Sequence, residues 1–399
     1  MPDARGGVVA AALADWAVGV DPSEEDLALA GRALADTVAV AIAGAREPAT
    51  MAARSLGRAA LWGVAAHVLD FDDLHVESTA HLSTVGVPVA LGTGGGARAY
   101  LVTAGVMTRL ADLLGWGHYR DGWHITCTTG ALGAAAGAAV ALGLDAERTA
   151  AAIALAVPGA GGVQAAFGAD AKSLQVGFAI ASGIRAAGLA ARGVTANGEA
   201  VDQWVRLMGG SSGPVRLDGP AVPGRLAAKL FPCCYALQRP IQAIWSLGDR
   251  RPDPARVREV VVRAPAATVA PLIHHRPSTG LEGKFSLEYG VATALIDGFP
   301  SLPEFTDEAV RREDAQRIIP LVRSELESGG ASLLDGRVSV AIRTYDAREI
   351  VAELVATPEI VFEPEAWRAK LESLAPGWEH PDWDRAAADL EAAIPVDPR

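Results

Sequence analysis

Seven side chains able to carry charge or a proton crowd between positions 67 and 81: His67, Asp70, Asp72, Asp73, His75, Glu77 and His81. They interrupt an otherwise apolar region. Asp70 follows His67 by three positions, a spacing that puts both on one helix face. Imidazoles and carboxylates in one run can ligate a metal or move protons. The run lacks HExxH spacing and its members fall on opposite faces, so it is read here without a metal. The bland alternative is a solvated helix end.

Three further groups stand at expected helix starts. His124, in Gly122-Trp123-His124-Ile125-Thr126, precedes a helix over Thr129 to Gly143. Lys172 opens a helix from Lys172 to Arg192, and His81 precedes Ser83-Thr84, which could cap a helix to Leu91. Helix N-termini present free N–H groups and partial positive charge, so three of them converging would receive several carboxylates. Taken singly, a lysine at a helix start is ordinarily an exposed one. Tyr289, in Gly283-Lys284-Phe285-Ser286-Leu287-Glu288-Tyr289, is either a proton donor or a half-buried core tyrosine. His274, His275 and Arg276 just upstream either bind an anion or face solvent.

Other chemistries find no support. Gly92-Thr93-Gly94-Gly95-Gly96 follows a helix without a βαβ setting, and there is no P-loop and no GxSxG. The three cysteines, Cys127, Cys233 and Cys234, make neither a disulfide framework nor a zinc site and fit a reducing cytosol. Cys127 as a nucleophile is conceivable but unsupported. A formal net charge of -12 argues against nucleic-acid and anionic-membrane partners. The N-terminal residues 1–5 lack a basic segment before an apolar one, so no signal peptide is expected. The apolar runs Ala131 to Leu144 and Ala150 to Val163 are short for a bilayer span and read as buried helices.

The elements that must position these groups fall into two textures. A chain of 399 residues calls for two domains. Up to about residue 228 it reads as helix after helix. Asp21-Pro22-Ser23-Glu24-Glu25 is a helix start, and Leu101 to Gly115 is a helix closed by its glycine. Gly177, Ala179, Gly183, Ala187 and Ala190 would let helix backbones approach closely. From 229 to 362 the texture is α+β. Strands are expected at Val257 to Arg263 and Val338 to Thr344, the latter paired with Ile350 to Ala356, with helices at Phe285 to Asp297 and Glu308 to Ser328. The segment 363–399 returns to helix and completes the first domain. The expected class is mainly α: a large all-helical domain plus a smaller α+β domain.

At this point the motifs match a pattern. His67-Val68-Leu69-Asp70-Phe71-Asp72-Asp73, His81-Leu82-Ser83 and Val87-Pro88 resemble the signature of the MmgE/PrpD family. Gly122 to Thr126, Lys172-Ser173-Leu174-Gln175-Val176-Gly177, Lys229-Leu230-Phe231-Pro232-Cys233-Cys234 and Phe285-Ser286-Leu287-Glu288-Tyr289 resemble its later motifs, in order. The chain is identified as a diverged, shortened member. That family includes 2-methylcitrate dehydratase, cis-aconitate decarboxylase and iminodisuccinate epimerase. The sparse cysteines point to a cytoplasmic enzyme, and the resemblance implies an α+β lid, a homodimer and no cofactor. It implies a cofactor-independent lyase, of dehydratase or decarboxylase type, acting on a small di- or tricarboxylic acid. An isomerase or epimerase, or an inactive carboxylate binder, are the alternatives. Asp70, His81, His124, Lys172 and Tyr289 occupy the family's active-site positions. Lys172, His81 and Arg276 would bind carboxylates, with Lys284, Gln175 and Gln238 also facing substrate. His124 or Asp70 would be the base. Leu74, Gln175 and Gln238 depart from the family pattern, which should change the polar groups a substrate can satisfy.

Overall fold

A computed structural model describes residues 7–327, 336–355, 364–377 and 382–396. The segment 1–5, and the ends of two expected elements at Ser328 and Ala356, lie outside the described residues. The class is mainly α with a small mixed sheet, as the sequence predicts. The chain divides into two compact units: Met1–Ala165 with Ala171–Leu226 and Trp367–Arg399, and Ala166–Asp170 with Ala227–Ala366. The short segment Ala166–Asp170 thus leaves the helical unit, which the sequence pattern did not show.

The helical unit is built around Ile125–Ala141, whose residues from Ile125 to Val140 are all buried. A helix apolar all round has no solvent face, so it must sit inside its unit. It packs against Gly96–Arg120 on one side and Ala171–Ala191 on another. Small residues permit this. A Cβ on Gly183 would meet the Ala131 carbonyl at 2.5 Å and the Ala134 Cβ at 2.6 Å. The expected end of a helix at Gly115 is a break instead. Gly115 takes a φ of 66°, and a last turn continues to Arg120. The Glu24–Ala43 helix starts at Ser23 in a capping box, with Asp26 N–H donating to Ser23 Oγ and the Ser23 N–H to Asp26.

Glu24–Arg46 and Ala171–Ala191 are long and apolar enough by composition to cross a bilayer. Packing in the helical unit buries 61% and 44% of their apolar windows. The tail returns here. Lys370 Nζ lies 2.7 Å from both Asp36 Oδ1 and the Phe71 carbonyl, and the Trp367 indole donates to the same Asp36 oxygen.

In the second unit, the strand order is Val322–Glu327, Val257–Pro265, Arg337–Thr344, Glu349–Val355. The first pair is parallel and the other two antiparallel. The helices Tyr235–Trp245 and Leu287–Asp297 share its core. The long helix expected from Glu308 to Ser328 is not formed. Short helices Asp307–Val310 and Glu313–Ile318 stop before Pro320, which cannot donate to the helix ladder. Val322–Glu327 then becomes an edge strand.

Two substitutions test the packing of Ala171–Ala191. Gly183→Ala forces a Cβ into neighbouring backbone and should lower stability by about 1–3 kcal/mol. Gly188→Ala meets nothing within 4 Å and should raise it by about 0.5–1 kcal/mol in urea unfolding.

Candidate active site

Three helix starts in the helical unit bring their polar groups to one point. His124 is the N-cap of Ile125–Ala141, Lys172 lies in the first turn of Ala171–Ala191, and His81 precedes Ser83–Thr93. They gather around His67, which is buried near the end of Arg58–Val68. His67 Nδ1 lies 2.7 Å from Asp72 Oδ2, and His81 Nδ1 lies 2.9 Å from the same oxygen. On its other side, Lys172 Nζ lies 2.9 Å from His67 Nε2 and 2.6 Å from Asp70 Oδ1. The His124 ring stacks on His67 with centroids 5.6 Å apart, and His81 meets His67 edge-on at 4.8 Å.

An ammonium only donates and a carboxylate only accepts. Those two facts fix the His67 proton. It sits on Nδ1 toward Asp72, and Nε2 accepts from Lys172. Burial lowers the proton affinity of His67, and Lys172 adds to this against the opposing pull of Asp72. Burial by itself would raise the Asp72 carboxyl, but the imidazoles of His67 and His81 outweigh it and hold the group well below its usual value. His124 is driven well below the ordinary histidine value by burial, then by His67, Lys172 and His81. The result is a neutral His124 and His67 between ionised neighbours.

The expected route to this arrangement differs in one detail. His67 and Asp70 do not share a helix face, because the helix ends at Val68 and Asp70 has a φ of 53°. Aspartate tolerates that left-handed conformation better than most residues. Lys172 joins the two side chains instead.

The rest of the polar run separates by task. Asp73 holds Ser83, taking its N–H at 3.4 Å and its hydroxyl. Ser83 therefore does not cap its helix with its own side chain. Burial and Asp36 push Asp73 up to about 7. His75 Nε2 donates to the Pro223 carbonyl at 2.8 Å and Nδ1 accepts from Ser78, so the ring secures a loop. Glu77 pairs with Arg225 at the surface. Leu74 is buried.

The remaining candidates have other partners. Gln175 Oε1 lies 3.3 Å from His124 Nδ1, which is also 3.2 Å from Cys127 Sγ. Burial pushes the Cys127 thiol up, so it is not a ready nucleophile. In the second unit, Gln238 takes the N–H groups of Leu230 and Phe231 and gives its own to the Phe231 and Cys233 carbonyls. Its amide is fully used in shaping that loop, which leaves no donor or acceptor for a substrate. Lys284 donates to the Pro232 carbonyl at 2.8 Å. Arg276 is exposed and donates to the His275 carbonyl. Tyr289 is fully buried, and its hydroxyl donates to the Glu304 carbonyl.

Sequence reasoning placed His67 in the run without giving it a role. It also missed Thr126, whose hydroxyl accepts the His81 N–H at 3.0 Å. The imidazole in an apolar helix was a visible signal for the first. Nothing in the spacing marked the second.

Among the described residues, His67, Asp72 and His81 offer ligand atoms within 4.8 Å of one another. A divalent ion there would have to displace the proton that His67 directs at Asp72. A cavity of about 340 Å³ in the same unit is lined by His75, Glu77, Arg109, Trp116, Tyr119 and Ile125, among others, and by none of Asp70, His81, His124 and Lys172.

Two family models match the chain: the MmgE/PrpD N-terminal domain over residues 55–210 and the MmgE/PrpD C-terminal domain over residues 231–375. No curated protein matches it.

Asp73 gives a pH test. Its folded value, about 7, lies above the unfolded one, so the fold keeps a proton that the unfolded chain releases. Stability should therefore fall as pH rises from about 4 to 7 and level off above, by on the order of 3–4 kcal/mol from this group. Asp73→Asn keeps an acceptor for Ser83 and should remove that component. The difference between variant and wild type in urea unfolding at pH 5 and pH 8 measures it.

Proposed function

Because this chain belongs to the MmgE/PrpD family, we propose that it is a cofactor-independent lyase acting on a small di- or tricarboxylic acid. Members of that family are enzymes of lyase or isomerase type. The observation that carries the finer reading is a buried, neutral His124 beside Lys172 at converging helix N-termini. A neutral imidazole can take a proton from carbon. The helix N-termini and Lys172 would hold the adjacent carboxylate, and the electron pair left on carbon would delocalise into it.

In a dehydratase the carbon–oxygen bond then breaks, and hydroxide leaves with a proton from a histidine such as His81. In a decarboxylase the carbon–carbon bond breaks, carbon dioxide leaves and the carbon gains a proton. His81 and His124 both contact His67, which supports a second reading: an isomerase or epimerase that returns the proton to another face. Tyr289 has no step here, since its hydroxyl serves the Glu304 carbonyl. A homodimer belongs to the same proposal on the strength of the family, and a cytoplasmic location on that of the sparse cysteines.

The test is proton NMR in deuterated water after chelator treatment, with citrate, 2-methylcitrate, cis-aconitate and iminodisuccinate. A new alkene or a decarboxylated product is expected for a lyase, and deuterium on recovered acid for an isomerase. Silence with every acid, or a Lys172→Ala variant as active as wild type, would overturn the reading. His124→Ala should lose roughly 10²–10⁴-fold in turnover. Protonation disables a base, and His124 lies well below 6.5, so the acid limb of kcat/KM should fall below pH 6.5.

A further inference from the structure

Gln175 lies three positions after Lys172 on Ala171–Ala191, and its amide reaches back to the loop that follows Pro158. The Val163 backbone N–H donates to Gln175 Oε1 at 3.0 Å, and Gln175 Nε2 donates to the Val163 carbonyl at 3.4 Å. A backbone N–H can only donate, so the amide atom facing it must be the oxygen. The flipped amide would set two donors against each other and two acceptors against each other. Val163 is itself held by a bridge to Trp123, flanked by His124 N–H to the Gly162 carbonyl at 3.0 Å and Gln164 N–H to the Gly122 carbonyl at 2.8 Å. The oxygen is thus fixed in place as well as in kind.

That same oxygen lies 3.3 Å from His124 Nδ1. We infer that Gln175 is a positioning residue that sets the tautomer of His124, placing the ring proton on Nδ1 and the lone pair on Nε2. An oxygen that only accepts requires a nitrogen that donates. Cys127 Sγ, 3.2 Å from Nδ1, could instead offer its S–H, which would leave Nδ1 bare. A thiol is a weak donor, and a bare Nδ1 would turn its lone pair on the amide oxygen, so the amide prevails. Gly162 makes the approach possible. It has a φ of 116°, and a Cβ there would come within 2.5 Å of Gln175 Oε1 and 3.0 Å of the Cys127 Cβ. Gln175, expected from sequence to face substrate, acts through His124 instead.

This inference rests on the proposed function only for its consequence, that Nε2 is the nitrogen which takes a proton from carbon. The tautomer itself is read without turnover. In ¹⁵N-histidine-labelled protein at pH 7, two-bond nitrogen–proton correlations report which ring nitrogen bears hydrogen, and loss of one set in His124→Ala assigns His124. Wild type should show the Nδ1–H form. Gln175→Leu, which removes the acceptor and leaves the thiol, should shift His124 toward the Nε2–H form. Gln175→Glu keeps an acceptor and should retain the Nδ1–H form. Thermal unfolding of each variant checks that the fold is kept.

An Nε2–H wild type, or a folded Gln175→Leu variant with its tautomer unchanged, overturns the inference. With an acid that is turned over, Gln175→Leu should lower kcat on the order of 10²–10⁴-fold with KM little changed. Gln175→Glu should recover most of it, with the acid limb moved to higher pH by the added carboxylate. If the tautomer is as stated and no acid reacts, the lyase reading alone fails.

Discussion

A carboxylate deprived of water must be given protons to hold, and the polar centre of the helical unit is organised by that need at Asp72. One of its oxygens faces the Nδ1 atoms of both His67 and His81. This leaves His67 with a lone pair on Nε2, which must in turn meet a donor. Lys172 is that donor, and its own charge is answered by Asp70. The chain of contacts runs from Asp70 through Lys172, His67 and Asp72 to His81. Removing Lys172 would take the ammonium from the buried Asp70 carboxylate, an effect that commonly costs several kcal/mol.

The scaffold follows from the same constraint. Groups from distant parts of the chain must meet inside a helical unit, so the helices must come close. Ala and Gly on Ile125–Ala141 and Ala171–Ala191 allow that approach. The starts of these helices face the polar groups, where free N–H groups favour negative charge. The unit is therefore both tightly packed and electrostatically suited to an anion at one point.

Much of this was legible in residue order. Helix starts at Ser23 and Ser286, strands at Val257 and Val338, and the small-residue helix all follow from local rules. What local rules cannot supply is the partner. Val322–Glu327 is rich in charged residues that also suit a helix, and only its parallel pairing with Val257–Pro265 makes it a strand. Pro320 was the local sign that the helix must stop. Asp72 and Asp73 are adjacent and chemically identical, yet one is pulled down by imidazoles and the other raised to about 7 by burial and Asp36. No spacing rule separates them. Gln175 and Gln238, both departures from the family pattern, likewise take their tasks from backbone groups that no spacing rule pairs with them.

The most direct test of a neutral, buried imidazole pair is a histidine ¹⁵N titration from pH 8 down to pH 5. His67 and His124 should each gain a second proton only below pH 6.5, because burial and Lys172 hold each below that ordinary value. His67 should keep its proton on Nδ1 throughout. A His67 or His124 that gains a second proton at or above pH 6.5 would contradict the arrangement and with it a neutral base at this site.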